Sequence, residues 1–133
     1  MNYPLVSVVI PVYNTCSYLD KMFDCLLKQT YQNWEAICID DGSADSSFDK
    51  LQEYADRDSR LHVIKNEHSG VSETRNLGIS MAKGEYIFFF DSDDVFEPNL
   101  IEDCISFACL KNVDTVIYGY GGISEGGGVY RTA

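Results

Sequence analysis

The chain predicts an α/β fold, a mostly parallel, doubly wound sheet with helices on both faces. Three observations carry that prediction. Short β-branched or aromatic runs alternate with amphipathic stretches along the 133 residues. Several of those runs are apolar throughout, as strands buried on both faces are in parallel sheets. Polar and acidic residues gather directly after the runs, where open α/β sheets bind ligands.

Leu5 to Tyr13 (LVSVVIPVY) reads as the first strand, followed by Asn14 and Thr15 as helix-start chemistry. Tyr18, Leu19, Met22, Phe23, Leu26 and Leu27 then recur on one helix face. Trp34 to Ile39 is a second strand, closed by Asp40, Asp41, Gly42 and Ser43. Phe48, Leu51 and Ala55 mark a second helix, with Asp45 or Ser46 as its cap, and Leu61 to Ile64 a short third strand. Ser69 to Lys83 predicts a third helix that Gly84 ends. Gly78 inside it costs about 1 kcal/mol relative to alanine, which close packing on the sheet would explain. Glu85 to Phe90 is a fourth strand, expected to be buried on both faces. Pro98 opens a fourth helix with the face Leu100, Ile101, Cys104, Ile105 and Ala108, and Asp114 to Tyr118 is a fifth strand. Tyr120 to Gly128 holds five of the ten glycines and no helical period, so it reads as a loop or a segment whose packing partner lies elsewhere.

Composition narrows the function classes. With 45% hydrophobic and 23% charged residues the chain is ordinary globular protein, neither disordered nor fibrous. Asp and Glu number 21 against 10 Lys and Arg, a net charge of −11, and so acidic a surface repels nucleic acid. The five cysteines (Cys16, Cys25, Cys38, Cys104, Cys109) form no Cys-x-x-Cys and read as free thiols of a reducing compartment. No signal-peptide pattern opens the chain, and no apolar run approaches the ~20 residues of a membrane span. The expected location is cytoplasmic, with peripheral association at the inner membrane face compatible with it.

Asp40-Asp41 follows the second strand and Asp91-Ser92-Asp93-Asp94 the fourth, so both acidic groups belong to one edge of the sheet. Carboxylates brought together there call for a counter-cation, and Mg²⁺ or Mn²⁺ suits oxygen ligands. Mg²⁺ in particular is commonly held by one or two carboxylates plus substrate phosphates. The alternative is that these residues are turn and cap groups on an acidic surface, the better reading for Asp45 and Asp94 taken alone. Glycine-rich phosphate loops, zinc-ligand spacings, a Gly-x-Ser-x-Gly elbow and a Cys-His nucleophile pair are all absent from the sequence. His62 and His68 read as a strand and a loop residue without a site role.

Val6 to Asn14 (VSVVIPVYN), Ile39 to Ser47 (IDDGSADSS) and Gly70 to Asp94 (GVSETRNLGISMAKGEYIFFFDSDD) resemble the family 2 glycosyltransferases. The resemblance runs from about Val6 to Tyr118. It implies the GT-A fold, a Rossmann-like α/β sheet, and transfer of a sugar with inversion from a nucleoside diphosphate to an acceptor hydroxyl. It also implies site roles. Pro11, Val12 and Tyr13 wrap the base, with Tyr13 stacking on it, and Asp41 accepts a hydrogen bond from a base imide, favouring uracil. Arg75 reaches base or phosphates, although Thr74 stands where the family more often has alanine. Asp91 contacts the ribose or the metal shell, Ser92 belongs to the nucleotide-binding set, and Asp93 holds Mn²⁺ or Mg²⁺ against the diphosphate.

An inverting transfer needs a general base, and the resemblance puts that group in an acceptor-binding half beyond Ala133. Glu125 is the one carboxylate in the Gly-rich segment, and nothing in its context marks it for the role. The expected organisation is therefore a donor-binding domain over 1–119, then residues 120–133 leading into a missing acceptor half. The implied partners are a nucleotide-sugar donor and a glycan or lipid-linked acceptor of polysaccharide or glycolipid biosynthesis. A sheet edge left open by the missing half would allow a homodimer. A nucleotide-sugar binding fragment without turnover is the alternative. Phosphoacceptor signalling domains fit poorly, because the first strand ends in Pro-Val-Tyr-Asn rather than an acidic pair. Nucleotidyltransferases fit poorly for want of a basic, glycine-rich loop.

Overall fold

The computed structural model describes residues 3–118, 121–123 and 129–131. Its centre is a four-stranded parallel sheet in the order β3-β2-β1-β4. The strands are β1 (Val6–Val12), β2 (Trp34–Asp41), β3 (Leu61–Asn66) and β4 (Tyr86–Phe89), connected through α1 (Cys16–Leu27), α2 (Ser47–Arg57) and α3 (Val71–Met81). After α4 (Leu100–Lys111) come two short antiparallel strands, β5 (Gly121–Ile123) and β6 (Val129–Arg131).

Alternation along β1 divides the core. Val6, Val8, Ile10 and Val12 share one cluster with Leu19, Met22, Phe23 and Leu26 of α1, Leu51 of α2, and Ile101 and Ile105 of α4. Each such side chain, fully buried, is worth about 1.5–3 kcal/mol. Val9 and Ile39 face the other way, under α3, whose Gly78 lets the helix backbone close on them. At the amino ends of the strands Ser7 Oγ donates to Glu35 Oε2 at 2.6 Å, and the Lys83 amide donates to the same oxygen at 2.8 Å. That knot ties the α3–β4 connection to the sheet.

Several elements depart from the sequence reading. Residues 114–118 form no strand. Their Thr-Val-Ile-Tyr run has strand propensity, but a strand needs a paired neighbour, and Ile117 is 92% exposed. β4 is not buried on both faces. Phe88 packs inward, whereas Ile87 and Phe89 are exposed on the α3 side, because α3 packs on β1 and β2. Gly84 does not cap α3, which already ends with Ala82 in extended conformation. Instead a Cβ at Gly84 would stand 2.6 Å from the Ser7 nitrogen. α4 starts after Asn99 rather than at Pro98. Within the Gly-rich segment, Gly121–Ile123 is a strand; Tyr120 and 124–128, including Glu125, lie outside the described residues.

Candidate functional site

The loops after β1, β2, β3 and β4 all leave the carboxyl edge of the sheet and enclose a cleft of about 230 Å³. The first two loops are stitched to each other. The Asn14 amide donates to Ser43 Oγ (2.9 Å), the Ala44 amide to Asn14 Oδ1 (2.8 Å), and the Cys16 amide to Asp45 Oδ2 (3.2 Å). Asn14 holds a left-handed backbone with φ 52°, which asparagine tolerates better than most residues. Of the two predicted caps for α2, Ser46 holds the N-cap position but makes no side-chain cap bond, and Asp45, one residue earlier, accepts the Ser47 amide at 2.9 Å. The stitching fixes where Pro11, Val12 and Tyr13 meet the cleft, with the Tyr13 ring half-exposed.

Asp41, at the end of β2, is buried and held by the loop after β3. The Ser69 amide and hydroxyl donate to its Oδ1 at 2.9 and 3.3 Å, and the Gly70 amide to Oδ2 at 3.0 Å. Gly70 has φ 96°, a backbone few other residues adopt, and it leads directly into α3. Burial works to raise the Asp41 carboxyl, but the two amides, the neighbouring His68 and the Ser69 hydroxyl together hold it below the ordinary aspartate value. Asp40 behaves differently. Fully buried, it accepts the Ser43 amide through Oδ2 at 3.2 Å and leaves Oδ1 without a partner.

The fourth loop supplies Asp91, Ser92 and Asp93. Ser92 is buried and shares a 2.8 Å hydrogen bond with Thr15 across the cleft floor. Arg75, on α3, pairs with Asp91 at 3.2 Å, and its Nε is buried without an acceptor. Burial and the charges of Asp91 and Asp93 push the Asp94 carboxyl upward. Asp91, Asp93 and Asp94 thus lie close enough together for their charges to act on Asp94.

No three His, Cys, Asp or Glu side chains among the described residues converge tightly enough to hold a metal ion by themselves. The two acidic runs share the cleft but do not merge, because Asp41 is satisfied by amides and Asp40 is turned to Ser43. What the donor set fits is a hard cation taking one or two carboxylates here and its remaining oxygens from a ligand. The crowded negative charge and the unmet Arg75 Nε favour such a cation with an anionic ligand.

Pro11, Val12, Tyr13, Asp41, Asp91, Ser92 and Asp93 therefore all line one cleft, and Arg75 adjoins it through Asp91. Thr15, His68, Gly70 and Thr74 line it too, and the sequence reading gave them no place there. A larger groove of about 620 Å³ runs between β4 and residues 114–118. We locate the candidate site in the smaller cleft, where the charged groups converge. Among the described residues no helix is long and apolar enough to cross a membrane, and all five cysteines are free.

Comparison with known proteins agrees with this geometry. The model of the family described as Glycosyl transferase family 2 matches residues 7–133. Glycosyltransferase GlyG of Streptococcus pneumoniae is 43% identical over 125 residues, covering 93% of this chain and 42% of that protein. Among solved structures, S. aureus TarS in complex with UDP-GlcNAc superposes with TM-score 0.74 at 27% identity, over 80% of this chain and 32% of that one. Mannosyltransferase PcManGT from Pyrobaculum calidifontis, in complex with GDP-Man and Mn²⁺, reaches TM-score 0.75 at 20% identity, a likeness of fold. The neighbours share the GT-A fold, and the chain spans less than half the length of each of these three relatives.

Proposed function

The chain belongs to glycosyl transferase family 2, and from that membership we propose that its cleft binds the nucleotide of a nucleoside-diphosphate sugar, with UDP as the preferred nucleotide. The carrying observation is that an aromatic ring, a buried carboxylate and the Asp91–Asp93 pair come from separate elements to one small cleft, with Arg75 beside it on Asp91. Tyr13 stacks on the base, and Asp41 accepts a base imide N–H, which uracil offers. Arg75, paired with Asp91 at the cleft's edge, reaches the base or the phosphates. Asp91 and Ser92 border the ribose. Asp93, assisted by Asp91, would hold Mn²⁺ or Mg²⁺; when bound, the cation offsets charge on the departing diphosphate.

The reaction is sugar transfer to an acceptor hydroxyl with inversion: a new C–O bond forms at the anomeric carbon as the bond to the diphosphate breaks. The proton lost by the acceptor goes to a general base, which we assign to the part of the protein that residues 1–119, as the donor-binding domain, lead into. The acceptor is a glycan or lipid-linked glycan of polysaccharide or glycolipid biosynthesis. TarS bound to UDP-GlcNAc supports the donor class, and PcManGT bound to GDP-Man and Mn²⁺ supports the metal.

Asp93→Ala tests the reading. Asp93 lies in an exposed loop after β4, so the variant keeps its circular dichroism and melting temperature. It is expected to lose Mn²⁺-dependent UDP binding. Wild-type affinity in the variant would remove Asp93 from the site.

A further inference from the structure

A carboxylate accepts about four hydrogens; the protein gives that of Asp41 three hydrogen bonds and sets a fourth donor beside it. Besides the Ser69 and Gly70 groups, His68 Nδ1 stands 3.2 Å from Asp41 Oδ2. The same nitrogen lies 3.2 Å from the Asp41 backbone oxygen. Both neighbours can only accept, so Nδ1 carries the hydrogen. The amide donors are fixed by the backbone that enters α3. The Ser69 hydroxyl is engaged a second time, as acceptor of Asn66 Nδ2 at 3.1 Å. His68 alone is free to leave, because its side chain is 60% exposed and makes its contacts through the ring. That ring also rests on Tyr13, with centroids 4.5 Å apart and planes inclined by 33°.

A flat heteroaromatic ring, packed at a tilt on Tyr13 and with its ring N–H set against Asp41, occupies both positions assigned above to a nucleobase. We propose that His68 is an intramolecular stand-in for the base: it fills the base subsite when no nucleotide is present and swings out when one binds. The proposal rests on the nucleotide reading of the cleft. It makes His68 a residue that sets nucleotide affinity, since an incoming imide exchanges with a bond already made rather than meeting an open acceptor. Ligands without a base do not compete with it.

Calorimetry on the full chain with Mn²⁺, comparing wild type with His68→Ala, decides the matter. The variant is expected to bind UDP about fivefold tighter, the scale of one exchanged hydrogen bond, and to bind inorganic pyrophosphate as wild type does. Equal UDP affinity would overturn the proposal. So would weaker binding, because the ring would then be a wall for the base and not its substitute. A second measurement needs no variant: adding UDP to wild type should shift the His68 ring resonances toward those of a free imidazole, and unmoved resonances would overturn the exchange. If pyrophosphate and UDP bind to neither form, the nucleotide reading falls and the proposal with it. UDP binding without the His68 effect would leave the nucleotide reading standing alone.

Discussion

Gly78→Ala is the perturbation that tests the architecture at its tightest point. A Cβ built on Gly78 would lie 2.3 Å from Val9 Cγ1, 3.1 Å from Val9 Cγ2 and 3.3 Å from Ile39 Cδ1. Carbon atoms settle at roughly 3.5–4.0 Å, so the nearest pair must separate by about 1.5 Å. Val9 cannot turn aside cheaply: it is β-branched, fully buried and in the central strand. Alanine at an unencumbered helix position would gain about 1 kcal/mol over glycine, while overpacking of a filled core costs about 1–3 kcal/mol. A displacement this large belongs at the upper end of that range, so the expected net loss is about 1–2 kcal/mol. For a domain of this size that lowers Tm by about 3–8 °C. Urea unfolding with unchanged slope is the assay, and Ser72→Ala, on the exposed side of α3, serves as control. Because α3 opens at the Gly70 amide that holds Asp41, Gly78→Ala should also weaken UDP binding. Stabilisation by Gly78→Ala, as in an open helix, would refute the close approach of α3 to the sheet.

Two further outcomes follow from the titrating groups. Burial, then the hydrogen bond to Asp20, push the Tyr54 phenol up to about 12. A raised folded value makes its contribution to stability complete below the unfolded value near 10 and lost as pH climbs through 12. Burial raises Tyr31, Tyr86 and Tyr118 as well, so ultraviolet difference titration should find several late phenols, of which Tyr54→Phe removes one, and that variant should lose less stability than wild type in the alkaline range. Burial likewise pushes the Cys38 thiol up to about 12, whereas Cys109 is exposed. Iodoacetamide at about pH 8 should modify Cys109 in the folded protein and spare Cys38, as thiolate access dictates; peptide mapping that finds Cys38 labelled first would contradict the burial.

What was legible in the sequence and what was not divide along physical lines. β1 and β2 were legible because both their faces are covered, so every residue carries the signal. The Gly78 approach was legible because glycine inside a helix demands a reason. β4 was misread on one side: the Tyr-Ile-Phe-Phe run looks the same whether or not a neighbour covers Ile87 and Phe89, and coverage is decided by where α3 lies. Residues 114–118 failed as a strand for a related reason, since pairing is a property of two segments. Within the site, Asp41, Asp91 and Asp93 were legible because runs of acid after buried strands are uncommon. His68 was not, because a lone histidine has no local signature; folding brings it to Asp41 across 27 residues of chain. Thr15 and Ser92, 77 residues apart, meet for the same reason. The caps were half-legible: Asp45 was named, but its second role at Cys16 needed the loops to meet.

The most direct test of the central claim is calorimetric titration of the protein with UDP and with GDP, each in Mn²⁺ and in chelator. The cleft described above predicts that UDP binds in Mn²⁺, that chelator removes the binding, and that GDP binds more weakly. Folded protein that binds neither nucleotide in Mn²⁺, or that binds UDP equally well in chelator, would contradict a metal-assisted nucleotide site at Asp41, Asp91 and Asp93.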